Sequence, residues 1–364
     1  MDINEFRMIL DKTIVPANLP SPEMNDRIEP LIKSAQSIMP SSLFRYRRCD
    51  ERSIDAFYND RVWVSTADCM NDGFDTRLFF DKKAIREWGA WFLDPSNREQ
   101  ALKTLDEKKE PPVGLCLFPG MDQMYRTFAA ATDTEKEQML SRFGEMVKDE
   151  VSFAVDALAD NSQQAHKFCC LSKRIDSASM WGQYANNETG FVLAYDCRNL
   201  SSSVPLESGY QRKCMCFPII YSEYRYQVSA DYIQFLLAYR LMHIALVRSG
   251  YASYVPGATQ AVLNGFVCPD ILVPMKIALN KSLEWEREEE WRLFCSGNDD
   301  PNFQNAKHAY FTLKPTALYL GRRISSIYQK ILVDIAKEKS MPVYKMHLDD
   351  DVATYKLFGK PLDY

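Results

Sequence analysis

Polar and apolar positions alternate over Leu43-Phe44-Arg45-Tyr46-Arg47, the pattern of a half-buried strand. Val62-Trp63-Val64-Ser65-Thr66 is β-branched and aromatic, as strands prefer. Between them Asp50 is placed to cap a helix running through Ile54, Ala56 and Phe57, because its carboxylate can accept the orphan amides of a first turn. Further strands are predicted at Phe168–Ser172, Gly190–Tyr195, Cys214–Tyr221, Ile271–Ile277, Ala309–Leu313, Ala317–Leu320 and Pro342–Lys345. Helical spacing occupies Ser177–Ala185, residues 230–248 and Ser325–Lys337. Residues 81–165 differ: they are rich in Glu, Lys, Ala, Met and Leu at helical spacing and contain almost no strand-like run, which predicts a helical insertion. Residues 1–40 read as a helical lead-in in which Pro16, Pro20 and Pro22 separate two short helices. The core is then expected over 41–80 and 166–364, as an α+β protein with a split, mixed or antiparallel sheet.

The bulk properties narrow this picture. The chain has 364 residues, of which 46% are apolar and 12% aromatic, enough for a substantial core. A net charge of −5 gives no global attraction to nucleic acid or anionic membrane, though a local basic patch stays open. The N-terminal stretch carries acidic residues early and has no uninterrupted apolar core, so no secretory signal is read there. No apolar run approaches the roughly 18 residues of a membrane span; the best, Tyr232 to Val247, is broken by Gln234, Arg240 and His243. Ten scattered cysteines in a chain of this size suggest buried reduced thiols and a cytoplasmic location.

Several common chemistries have no sequence support. Neither G-x-G-x-x-G nor a Walker A loop is present among the 14 glycines. His166, His243, His308 and His347 are isolated, with no metal-ligand spacing. Cys214 and Cys216 share a strand face without a second ligand pair, which favours packing over zinc. No nucleophile elbow supports a Ser-His or Cys-His nucleophile.

Four segments carry candidate chemistry. In Phe44-Arg45-Tyr46-Arg47-Arg48, Arg45 and Arg47 share one strand face, and a guanidinium turned into a cleft suits a phosphate or a ribose hydroxyl. In the second, Ser65 and Thr66 end a strand before the turn Asn71-Asp72-Gly73-Phe74-Asp75. The third is the helix Ser179 to Ala185, with Trp181 and Tyr184 on one face, leading through Gly190 into a strand. The fourth, Trp285 to Arg292, sets four carboxylates and two arginines among two tryptophans. A helix to about Arg287 followed by a strand from Glu288 would put Glu288, Glu290 and Arg292 on one face and Glu289 and Trp291 on the other. Two carboxylates about 7 Å apart would raise one pKa by mutual repulsion. Each segment also has a plain structural reading: solvated arginines, turn chemistry, aromatic packing and a surface acid cluster.

In this order the segments resemble a bacterial family known as domain of unknown function 2971. The matching residues are Tyr46-Arg47, Ser65, Asn71-Asp72-Gly73-Phe74-Asp75, Trp181 with Tyr184-Ala185, Gly190, and Trp285 with Glu288-x-Glu290-Trp291-Arg292. Leu318 to Arg322 and Pro342-Val343-Tyr344 also look like the family. Met70 and Gly73 replace its usual Phe and Pro, and Arg287 stands where it usually has Tyr.

A weaker resemblance links Arg47, Ser65-Thr66 and Glu288-x-Glu290 to the ADP-ribosyltransferase superfamily. It implies a split-sheet fold that binds NAD as substrate in a cleft, with no Gly-rich loop. Glu290 would stabilise the oxocarbenium-like ribose and hold its 2′-hydroxyl, and Glu288 would orient or deprotonate the acceptor. Arg47 would anchor ribose or phosphate, Ser65 and Thr66 would brace the nicotinamide half, and Tyr184 would stack on it. The acceptor would be a macromolecule, protein or nucleic acid, and the role by analogy that of a bacterial toxin or phage-defence effector. Two alternatives stay open. One is a non-enzymatic sensor or interaction module, for which the insertion 81–165 would suit partner contact. The other is a metal-dependent nuclease built on Asp72, Asp75, Glu288 and Glu290, which lacks histidine ligands.

Overall fold

The computed structural model describes residues 2–107, 121–198, 200, 204–205, 211–248, 267–296 and 307–363. Part of the predicted helical insertion, residues 108–120, lies outside the described residues. Among the described residues the fold is α+β, with a mixed sheet of 11 strands.

The expected strand β1 spans Leu43–Arg47 and pairs along its whole length with β4, Phe191–Tyr195. Beyond β4 lie β11, Ala317–Leu320, then β12, Val343–Leu348, then the edge strand β13, Leu357–Pro361. The β11–β12 pair is parallel and the other pairings of this sheet are antiparallel. Helix α11, Ser326–Glu338, makes the crossover that a parallel pair requires. On the other side of β1 the sheet continues through β3, Phe168–Ser172, to β9, Glu290–Ser296, and β6, Gln211–Pro218.

The sheet divides at β3. One edge of β3 pairs with β9 at all five positions. The other edge is shared: Ser172 pairs with Phe44 of β1, and Phe168 pairs with Ser65 of β2, Arg61–Ser65. Strand β2 carries β10, His308–Thr312, on its far side. Strands β1 and β2 therefore leave β3 from opposite ends and a fork opens between them. Lys173 donates its amide to Glu289 and Lys167 accepts from Cys295, so the ladder turns the alternate residues 168, 170 and 172 toward the fork. Cys170, midway between the two pairings, presents its backbone N–H and C=O to the opening.

Both sheet faces are covered. Leu43, Val62, Val64, Leu171, Leu193 and Trp291 point to one core, closed by α11 and by α3, Glu51–Tyr58, through Phe57 and Leu332. Asp50 caps α3 as expected, accepting from the Ser53 amide at 2.8 Å. On the opposite face α1, Ile3–Lys12, and α2, Ser21–Ile38, bury Phe6, Leu10 and Leu31 against Phe168, Phe217 and Phe294. The N-terminal segment is thus part of the core.

Every described element between residues 81 and 165 is helical: α4 (Lys82–Gly89), α5 (Pro95–Glu107), α6 (Met121–Ala130), α7 (Asp133–Ser162) and a short 3-10 turn. Val151 and Val155 of α7 pack on Ile233 and Leu237, so a later helix, Ala230–Arg248, joins the same cluster. That helix, α9, follows α8, Ala178–Tyr184, in the chain. The expected strand at Ile271–Ile277 is instead helix α10, Val273–Ala278. Pro274 suits a first helical turn, where no amide partner is needed. Asp270 anchors the start, accepting from the amides of Leu272 and Val15 and from the Lys276 ammonium.

Strands β5 (Val204–Pro205), β7 (Ile220–Ser222) and β8 (Asn280–Ser282) complete the set; β7 and β8 form a separate parallel pair. Among the described residues no helix is long and apolar enough to cross a membrane. Nine cysteines are described and all are free thiols.

Candidate functional site

The sequence Trp285 to Arg292 divides differently from the expected helix–strand switch. Residues Leu283–Glu288 form a 3-10 turn, Glu289 adopts the left-handed conformation at φ 41°, and β9 starts at Glu290. The left-handed residue reverses the chain enough that Glu288, although outside the strand, points to the same place as Glu290. The division also sorts the charges. Glu284, Glu286 and Arg287 are exposed, whereas Glu288, Glu290 and Arg292 are buried.

The buried charges are held in a closed ring. Lys281, on β8, donates to Glu288 Oε2 at 2.8 Å and to Glu290 Oε2 at 2.7 Å. Arg292 Nε donates to Glu290 Oε1 at 2.8 Å, and its two terminal nitrogens grip both oxygens of Asp75 at 2.6 and 2.7 Å. The Tyr184 hydroxyl donates to Glu288 Oε1 at 2.5 Å and accepts from the Asn71 side chain at 3.1 Å. The ring begins at Asn71 and ends at Asp75, so the 71–75 turn, the α8 tyrosine and the β9 acids are one assembly. Both tryptophans serve it: the Trp285 ring lies 4.8 Å from the Lys281 ammonium, and Trp291 is buried behind the strand. Phe168 covers the Arg292 guanidinium at 4.2 Å.

Such charge is tolerable in low dielectric only when every member is paired. Burial is the largest influence on Glu290 and would raise its pKa, but Arg292 and Lys281 together hold it at about 2. It is therefore ionised at neutral pH. Glu290 is not the raised carboxylate that mutual repulsion predicts, because the Lys281 ammonium lies between it and Glu288. Burial also pushes the Cys170 thiol up, with Glu290 adding to it, so this cysteine is a poor nucleophile.

The ring floors a cavity of about 250 Å³ in the fork. Its lining includes Arg47, Ser65, Tyr184, Glu288 and Glu290, together with Arg45, Asp75 and Lys281. A second chamber of about 340 Å³ shares Arg45, Arg47, Trp63, Ser65 and Tyr184 and adds Arg48, Arg52 and His308. The second chamber reaches the roughly 300 Å³ at which small-ligand pockets begin, and the first lies below it. Arg45 and Arg47 face the opening while Tyr46 points away onto Trp181, as strand alternation requires. Burial, then the neighbouring Arg45, pulls the Arg47 guanidinium down to about 9, the condition of a cation kept without a carboxylate. Ser65 Oγ lies 2.8 Å from His308 Nδ1.

Five of the six expected site residues thus line one cavity. Thr66 does not: it is buried, and its hydroxyl donates to Asp68 at 2.5 Å. Alternation sends it to the face opposite Ser65. The nuclease set also fails to assemble. Asp72 accepts from the Phe74 amide, Asp75 is gripped by Arg292, and no three His, Cys, Asp or Glu groups among the described residues are placed to hold a metal.

Sequence reasoning missed Lys281, whose strand of three residues has no alternating pattern, and it missed the grip of Arg292 on Asp75. The available signal was charge balance: two buried carboxylates require a nearby cation.

Residues 180–293 match the family described as protein of unknown function (DUF2971). The matched segment carries Tyr184, Lys281, Glu288, Glu290 and Arg292, so most of the ring lies within it. Asn71 and Asp75 lie before it and close the ring from the first part of the core. No curated protein and no solved structure matched the chain.

Proposed function

We propose that the fork is the substrate cleft of an NAD-consuming, ADP-ribosyltransferase-like enzyme. The observation that carries this reading is that Arg47, Ser65, Tyr184, Glu288 and Glu290 line one cavity where the sheet divides. An unpartnered arginine at the mouth suits the pyrophosphate. An ionised carboxylate at the floor suits a ribose that becomes cationic as its glycosidic bond breaks. Both Glu290 oxygens are paired, yet each keeps a lone pair for a ribose hydroxyl. In the reaction the bonding pair leaves with nicotinamide, the acceptor attacks C1′, and its proton passes to Glu288. Tyr184, hydrogen-bonded to Glu288, orients that carboxylate; the stacking role first expected for its ring is secondary.

Nicotinamide release from NAD, assayed with protein and nucleic-acid acceptors, tests the reading. Glu290→Gln should lower turnover by at least about 100-fold while circular dichroism stays native. Undiminished turnover in that variant, or no release by the wild type with any acceptor, would end the proposal.

The non-enzymatic sensor draws on one observation, the full pairing of the acids to Lys281 and Arg292, which favours a rigid floor. It predicts binding of a protein or nucleic-acid partner, lost when the surface is disrupted, with no nucleotide turnover at any stage.

A further inference from the structure

The outer chamber holds more positive charge than a single dinucleotide needs. Arg45, Arg47, Arg48 and Arg52 all line it, and no carboxylate of the described residues pairs with any of them. Arg45 instead donates to the Trp63 carbonyl at 2.8 Å and lies against the Cys169 sulfur. Asp50, the acid in the chamber, is engaged by the α3 amide it caps. In a chain of net charge −5 this is a local reversal of sign.

An aromatic row leads out of it. The Arg52 guanidinium lies 4.6 Å over the Trp63 ring, and Trp63 lies 5.2 Å from its cross-strand partner Tyr310. Trp63 and Tyr310 are both partly exposed. Stacking planes beside unpaired guanidinium groups are the two elements that recognise unstacked bases and their phosphates.

We propose that this chamber and row form a track for single-stranded nucleic acid, with phosphates on the arginines and bases on Trp63 and Tyr310. A duplex keeps its bases stacked on one another and offers neither ring a free face. As a ligand, the strand is independent of the NAD reading; as the acceptor of the transfer, it rests on that reading.

Fluorescence anisotropy of labelled single-stranded DNA, single-stranded RNA, the matching duplex and polyphosphate, over a salt series from about 50 mM upward, tests the track. Single strands should bind more tightly than the duplex, and the difference between DNA and RNA identifies the natural strand. Arg48 and Arg52 are exposed, so Arg48→Ala and Arg52→Ala should fold normally while each lowers the log–log salt slope by about 0.7. Trp63→Leu should weaken binding about 10-fold and Trp63→Phe should restore most of it. Absence of single-strand binding, indifference to both Arg48→Ala and Arg52→Ala, or polyphosphate binding as tight as the oligonucleotide with no effect at Trp63 would each overturn the track. Strand binding without nicotinamide release defeats the transferase and leaves the track standing; nicotinamide release without strand binding does the reverse.

Discussion

Replacing Lys281 by Met keeps the stem that runs under Trp285 and removes the ammonium that Glu288 and Glu290 share. Two buried carboxylates would then face each other, and the expected cost is about 3–5 kcal/mol, read as a lower urea midpoint. Part of it should return in mild acid, where one carboxyl takes a proton. The wild type should respond in the opposite sense. Glu290 is held at about 2 against an ordinary 4.5, so its contribution is complete above about pH 4.5 and is lost as pH falls through about 2. The lost stability is on the order of 3 kcal/mol, and Glu290→Gln should lack that acid-dependent step in a pH series of urea melts. A parallel slope in both proteins would show that Glu290 is not held ionised by the ring. Arg47 provides the contrast. Its guanidinium has no carboxylate to lose and is repelled by Arg45, so Arg47→Ala should leave stability level or slightly higher.

Short elements place these residues, and their geometry depends on backbone more than on side-chain pattern. Gly190 immediately precedes β4, where an added Cβ would collide with the carbonyl oxygen of Arg47. Gly190→Ala should therefore separate β1 from the α8–β4 turn. We expect at least about 2 kcal/mol of destabilisation in thermal melts, with weaker ligand binding because Arg47 moves with the strand. Glu289 is strained in the other sense, since its φ of 41° favours glycine. Much of the element order was legible because alternation in β1, and β-branched, aromatic or continuous apolar runs in β2, β3, β4 and β11, identify strands from their own residues. Residues 271–277 were not, because a short apolar run fits a buried strand or a buried helix turn equally. Pro274 and the Asp270–Lys276 pair decide it through contacts to Val15 and Thr13, more than 250 residues away in the chain. The Glu289 reversal was equally hidden, as nothing in a run of glutamates specifies a left-handed residue.

At the scale of the whole molecule the fork is the geometry that the proposed cleft needs, and no local pattern encodes it. It exists because β1 and β2 divide one edge of β3 through Phe44–Ser172 and Ser65–Phe168. The candidate residues were legible as motifs in order, while Lys281 and the joining of Asn71 to Asp75 through the ring are long-range pairings that appear only on folding. A ligand seated in the fork would bridge the two arms, and this sets a prediction independent of turnover. NAD at about 100 times its dissociation constant should stabilise the protein by about 2.7 kcal/mol. The added protection from hydrogen exchange should concentrate at Arg45–Arg47, Trp63–Ser65 and the Cys170 amide, because these line the opening from its two sides and its base. Arg47→Ala should abolish the NAD-induced part and leave the unliganded pattern unchanged. Protection confined to one arm, or to the helical layer of α4 and α7, would place the nucleotide outside the fork and separate the ring of charges from NAD binding.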